Sequence, residues 1–233
     1  MKRIVFGVNV VFFTDNKDVG VDPQSISKYM TALAKFELIP SFGSEFNPAI
    51  NEKRNFLRMV TSDEHVQVNF GVGATNITIR DKDNVGEISD FLSSLLSSLN
   101  ELTPFKKSNR LSVITSTLIS GSFDEYSVVF GSLYSHHDNI PFEWDYRAGY
   151  KIDLQDVELG MNKVITCRKG MNGAVGGNII DSIVTEVDIN TPFENQIQRY
   201  SYNASIPCIT KMLNEALDVN SNFIIKYGLD YAK

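Results

Sequence analysis

RNFLRMV (54–60), HVQVNFGV (65–72), TNITIR (75–80), EISDFLSSLLSSLNEL (87–102) and RLSVITSTLIS (110–120) follow one another in the first half of the chain, and their periods decide the fold. The first three runs alternate or cluster apolar and β-branched residues between tight polar or glycine-bearing breaks, which is the pattern of short paired strands. From Ile88 the period changes: Ile88, Phe91, Leu92, Leu95, Leu96, Leu99 and Leu102 recur at three- and four-residue steps, while most serines fall between them. Such spacing lines one face of a helix and leaves the other polar. Pro104 ends that helix and Arg110 resumes the strand pattern. The expected product is an α+β fold: antiparallel sheet with helices packed mainly on one face.

Upstream, residues 2–14 (KRIVFGVNVVFFT) read as a first strand, and Asp22-Pro23 supplies an N-cap with proline at the first helical position. The helix that follows is expected over about 23–36, with Ile26, Tyr29, Met30, Leu33 and Phe36 turned inward. Residues 38–53 carry two prolines among scattered aromatics and are expected to form an irregular packed connector. Downstream, 123–134 favours a short helix, whereas 143–154, 159–169 and 179–190 read as strands of a meander. A glycine-dense hairpin loop, GMNGAVGGN (170–178), separates the last two. The chain is expected to end in a helical region over 194–217, interrupted or kinked near Pro207, and a second short helix near 220–228. Sheet plus helix thus occurs twice, giving an N-terminal half, 1–121, and a C-terminal half, 122–233, as two related sheet-plus-helix halves or one continuous domain.

Composition excludes several classes. With 233 residues, 42% hydrophobic and 21% charged, the chain can bury a substantial core without a metal or disulfide staple. Twenty-two basic against 28 acidic side chains give a net charge of −6, which disfavours direct general nucleic-acid binding. No run approaches the roughly 20 apolar residues of a membrane span, so no membrane partner is expected. MKRIVFGVNVVFF fails as a signal peptide because Asn9 breaks it and no small-residue cleavage site follows; the cytoplasm is the expected compartment. Cys167 and Cys208 lack metal or redox spacing and read as buried free thiols, with a single long-range disulfide as the other option.

The chemistry-bearing residues are sparse. His136 and His137 are adjacent in a polar turn before Pro141, and His65 opens a strand after a polar turn, so solvated positions are favoured for all three. The loop containing Gly173, Gly176 and Gly177 lacks the strand-to-helix context of a phosphate-binding loop, and reads instead as a hairpin tip able to meet a partner. Asp181, Glu186 and Asp188 lie along one strand run; paired acids can hold divalent cations for phosphodiester chemistry, but they equally form the solvated half of an alternating strand. Lys106, Lys107 and Arg110 are a compact basic cluster whose simplest role is to complement a helix C-terminus. Trp144 and Tyr146, in an aromatic-rich segment, are candidate interface anchors.

The order of these features resembles a sporadically distributed, functionally uncharacterised prokaryotic family of about 250 residues. The resemblance is carried by EISDFLSSLLSSLNEL, by the Arg-initiated strand RLSVITSTLIS, by the strand of alternating acids IVTEVDIN, and by the closing NSNFIIKYGL; Thr115 and Ser116 stand where the family tends to have asparagine. It implies a bacterial or phage-derived accessory protein of the kind found in antiviral defence or toxin immunity, and no particular activity. Together these readings lead to a non-catalytic protein-interaction module, an accessory, inhibitor or immunity-type subunit that needs no cofactor. Its acidic charge suits a basic or nucleic-acid-associated protein partner. A metal-dependent phosphodiesterase using Asp181, Glu186 and Asp188, or a small-ligand binder with a pocket between sheet and helices, are the alternatives.

Overall fold

Among the described residues nine strands and four α-helices follow one another, most of them where the sequence periods place them. A computed structural model describes residues 1–47, 52–81, 84–134, 139–155, 160–173, 179–193 and 197–229. Strand β1 (Lys2–Phe13) leads to helix α1 (Pro23–Leu33), strands β2 (Ile39–Asn47), β3 (Glu52–Val60), β4 (Val66–Phe70) and β5 (Thr75–Arg80), and helix α2 (Val85–Leu102). The series then repeats with β6 (Arg110–Ser120), α3 (Phe123–Leu133), β7 (Trp144–Ile152), β8 (Met161–Gly173), β9 (Ile179–Asn190) and α4 (Ile206–Lys226). The strands form one antiparallel sheet in the order β2-β3-β4-β5-β1-β6-β9-β8-β7. Read from β1, strands β5 to β2 follow in reverse chain order, and from β6, strands β9 to β7 do the same. The second series therefore repeats the first with one strand fewer, and the α+β expectation holds.

Helix boundaries follow local chemistry. Asp22 caps α1 by accepting from the backbone N–H groups of Gln24 and Ser25, each at 3.0 Å. Ser122 and Glu125 form a reciprocal capping box at α3, which satisfies two N–H groups that the helix cannot pair itself. Asn84 caps α2. Its stripe of Ile88, Leu92, Leu95, Leu96 and Leu99 is buried as the period requires, although Ser98 is buried too and returns its hydroxyl to the Ser94 carbonyl.

Two expectations are corrected. The segment 38–53 is no irregular connector, because β2 occupies Ile39–Asn47 and pairs in register with β3 from Ile39↔Val60 to Asn47↔Glu52. Pro40 is compatible with that pairing because β2 is the terminal strand of the sheet, where one side of the backbone needs no partner. The C-terminal region is one helix, not two: α4 starts at Ile206 and runs through to Lys226. Pro207 falls in its first turn, where a missing N–H costs nothing, so it opens the helix and does not kink it.

The chain divides into two compact units, one of Met1–Val8, Val113–Asn190 and Lys211–Lys233, the other of Asn9–Ser112 and Thr191–Thr210. In the first, the aromatic rings of Phe130, Trp144 and Phe223 cluster with Cys167 and Ile183. Asn220 of α4 donates to Thr117 of β6 at 2.9 Å and accepts from Thr185 of β9 at 3.0 Å, pinning the helix to two strands through buried polar groups. In the second unit Leu57, Met59, Val68, Ile77 and Ile79 are buried on one face of the sheet, and Tyr29 of α1 packs on Phe70 with ring centroids 4.8 Å apart. Among the described residues no helix is long and apolar enough to cross a membrane.

Candidate functional site

Three segments distant in sequence meet in the second unit: residues 13–18 at the end of β1, residues 102–110 between α2 and β6, and residues 191–193 and 197–200 after β9. Hydrogen bonds tie them together. Ser108 exchanges backbone bonds with Tyr200 at 2.8 and 3.1 Å, and its hydroxyl reaches the Phe13 carbonyl at 3.0 Å. Thr14 Oγ1 donates to the Lys107 carbonyl at 2.9 Å. Arg110 Nε donates to the Thr191 carbonyl at 3.3 Å, and its guanidinium lies 4.7 Å from the centroid of Phe13 and 6.0 Å from that of Phe193.

Beneath this junction Asn16 is buried and saturated. Its Nδ2 donates to the Gly71 carbonyl at 2.8 Å, and its Oδ1 accepts from Lys106 Nζ at 2.9 Å and Thr75 Oγ1 at 3.2 Å. Thr75 spends its one hydroxyl proton on Asn16, so the Tyr202 phenol, 3.0 Å away, donates to Thr75. Burial pushes the Tyr202 phenol up to about 12. Lys106, its side chain buried, closes the set with an ion pair to Asp18 at 2.6 Å. A loop carrying so many interior polar groups keeps a single shape only because each finds a partner.

Two clefts open on this base. One, of about 460 Å³, is bordered by Asp18, Lys28, Phe105, Lys106 and Lys107; the other, of about 440 Å³, by Phe13, Lys17, Val72, Arg110 and Phe193; Thr14, Asp15 and Gln198 border both. Their rims hold five cations, Lys17, Lys28, Lys106, Lys107 and Arg110, against Asp15 and Asp18, so the locality is basic although the chain is acidic. Large apolar side chains stand in solvent there: Phe105 is 92% exposed, Phe193 68% and Ile197 69%.

The basic cluster read from sequence is therefore part of this rim. The α2 C-terminus takes its cation from elsewhere, since Lys28 donates to the Leu102 carbonyl at 3.1 Å. Asp15, Phe105, Phe193 and Gln198 escaped the sequence reading. The one available signal was Phe105 between a helix-stopping proline and two lysines, a place where a phenylalanine has no stripe to join.

The other candidates are dispersed. Asp181 shares the parity of the buried Ile183, Thr185 and Val187, while Glu186 and Asp188 point to the opposite face of β9. Asp181 pairs with Lys169 at 2.8 Å, Glu186 with Arg168 at 2.7 Å, and Asp188 accepts from Asn190 at 2.9 Å. The three acids are not brought together, and among the described residues no group of three or more His, Cys, Asp or Glu side chains is placed to hold a metal ion. Trp144 is buried beside Phe130 and presents no aromatic surface; Tyr146 is half-buried and packs toward Phe223 at 6.2 Å. Gly173 ends β8 in register with Ile179, whereas Gly176, Gly177, His136 and His137 lie outside the described residues. His65 sits half-exposed between Asp63 and Asp81, at 3.6 and 3.8 Å. Cys167 and Cys208 are free thiols; burial pushes the Cys167 thiol up to about 12, which makes it a packing group and not a nucleophile. The sequence matches no known family model and no curated protein.

Proposed function

We propose that this chain is a protein-interaction module, an accessory, inhibitor or immunity-type subunit of a bacterial or phage-derived assembly, and that it meets its partner through the double cleft of the second unit. The observation that carries this reading is the pairing of exposed Phe105, Phe193 and Ile197 with a cationic rim on a rigid polar base. Apolar anchors beside arginine and lysine are the composition of binding hot spots, and the base keeps them in place before binding, which lowers the ordering cost. The overall charge of −6 favours a basic partner at long range, but the segment seated in the clefts needs an acid for Lys107 and an apolar group for the two phenylalanines.

Capture from the native host with the wild type and with the Phe105→Ala, Phe193→Ala double variant tests the proposal. A protein that binds the wild type is expected to be lost by the variant and retained by a variant in the first unit, Glu186→Gln. Equal recovery by all three baits would discard the cleft as the contact surface.

A further inference from the structure

We propose that β2 is a self-pairing edge: a second copy of this chain docks antiparallel against it about a two-fold axis at Ser44. The strand is terminal in the sheet and nine residues long, and it exposes Ile39, Phe42 and Phe46, the last two at 58% and 59%. Edge strands are ordinarily blunted with charges, bulges or short length. This one carries a single charge, Glu45, whose carboxylate already accepts the Val72 N–H at 2.7 Å.

Pro40 reveals which backbone groups are free. It pairs in register with Met59 yet has no N–H, so its nitrogen faces away from β3, and by alternation the N–H and C=O of Phe42, Ser44 and Phe46 face away as well. The same three side chains share one face, that of Leu57 across from Phe42. An axis at Ser44 sets Ser44 against its own copy and Phe42 against Phe46 of the copy, twice over. That gives six mutual hydrogen bonds and two cross-strand aromatic pairs.

Neighbouring registers fail for physical reasons. An axis at Gly43 places Phe46 opposite Pro40, which has no proton to donate, and an axis at Glu45 sets two carboxylates face to face. With the axis at Ser44, Glu45 faces Gly43, where the Phe56 ring already lies so close that an added Cβ would come within 2.2 Å of it. Charge and shape therefore select one isologous pairing.

The test is sedimentation of the full chain from about 1 to about 200 μM. A mass rising to twice 26.1 kDa is expected. Ser44→Pro should hold the mass at 26.1 kDa at every concentration while leaving the fold intact, because its nitrogen faces outward as that of Pro40 does. Should that variant lose its folded circular-dichroism spectrum, Phe42→Lys with Phe46→Lys, both exposed, gives the same readout. A wild type that stays monomeric throughout, or a dimer that survives these substitutions, overturns the inference. Loss of a host partner by Ser44→Pro without any wild-type dimer would also overturn it, since the edge would then serve a foreign strand. Cleft variants leave the mass unchanged, so this inference and the proposed function fail separately.

Discussion

The two units repeat one connectivity with different interiors. The first is filled by aromatic rings: Phe130 stacks on Tyr134 at 4.7 Å and approaches Trp144 at 6.0 Å, while Phe223 approaches Tyr227 at 4.5 Å. The second is packed mainly by Leu, Ile, Val and Met around the ring pairs Phe12–Tyr202 and Tyr29–Phe70, and it also buries the polar set of Asn16, Thr75, Tyr202 and Lys106. Aromatic packing fixes volume and tolerates small changes of direction, whereas a hydrogen-bonded set fixes direction and tolerates almost none. Both units expose phenylalanines, Phe123 and Phe142 in the first and Phe105 and Phe193 in the second, but in the second the Asn16 set lies against the segments that border the clefts. Surface anchors need a base that holds its shape without them.

The largest contrast is expected from Trp144→Ala, which empties an aromatic site in the first unit and should cost about 3–5 kcal/mol in urea melts. Trp144→Phe sharpens the point. Trp144 Nε1 is buried without a hydrogen-bond partner, so Phe sacrifices no bond, and a cost below about 1.5 kcal/mol is expected for a hydrophobic swap there. A large loss with Phe would show that the ring cluster depends on polarity after all.

In the second unit the ordering should invert, with atoms mattering less than bonds. Asn16→Ala deletes little volume but leaves the Gly71 carbonyl and one proton of Lys106 without their partner, for an expected cost of about 2 kcal/mol. The same variant should weaken partner capture, because Asn16 holds the segment in which Thr14 and Asp15 border both clefts. Unchanged capture by a destabilised variant would separate the base from the site.

Tyr202→Phe is expected to cost about 1 kcal/mol at neutral pH through the lost bond to Thr75. The pH dependence has a definite sign. Burial raises the phenol from 10.0 to about 12, so the folded state holds a proton that the unfolded chain releases. The stability this confers is complete below pH 10 and disappears as pH climbs through 12. Melting temperatures of wild type and Tyr202→Phe should therefore approach each other and then cross over that range, and parallel curves would refute the burial of the phenol.

How much of this was legible depends on whether the signal was local. The change of period at Ile88 and the Asp22-Pro23 cap are short-range features, and they located α2 and α1 correctly. β2 was hidden because Pro40 reads as a breaker unless the strand is known to be terminal, and edge position is a property of the whole sheet. Pro207 misled in the same manner, since proline opens a helix or breaks it according to a boundary that the residue does not itself reveal. The clefts were less legible still. They draw on three segments each about a third of the chain from the next, and the decisive members, Asp15, Phe193 and Gln198, belong to no local pattern.

The smallest expected effect concerns the acids that the sequence offered as an alternative cation site. Glu186 is joined to Arg168 at 2.7 Å, with both side chains partly exposed. Exposed pairs of this kind lose most of their attraction to solvent screening and side-chain entropy, so a double-mutant cycle of Arg168→Ala and Glu186→Ala should return a coupling below about 1 kcal/mol that shrinks with added salt. Neither single variant should alter the response of the melting temperature to Mg²⁺, because Asp181 points to the other face of β9 and cannot share an ion with Glu186. A Mg²⁺-dependent rise in melting temperature abolished by Glu186→Ala would require β9 to present its acids otherwise. It would return phosphodiester chemistry to contention, and with it the idea that the first unit, not the second, carries the function.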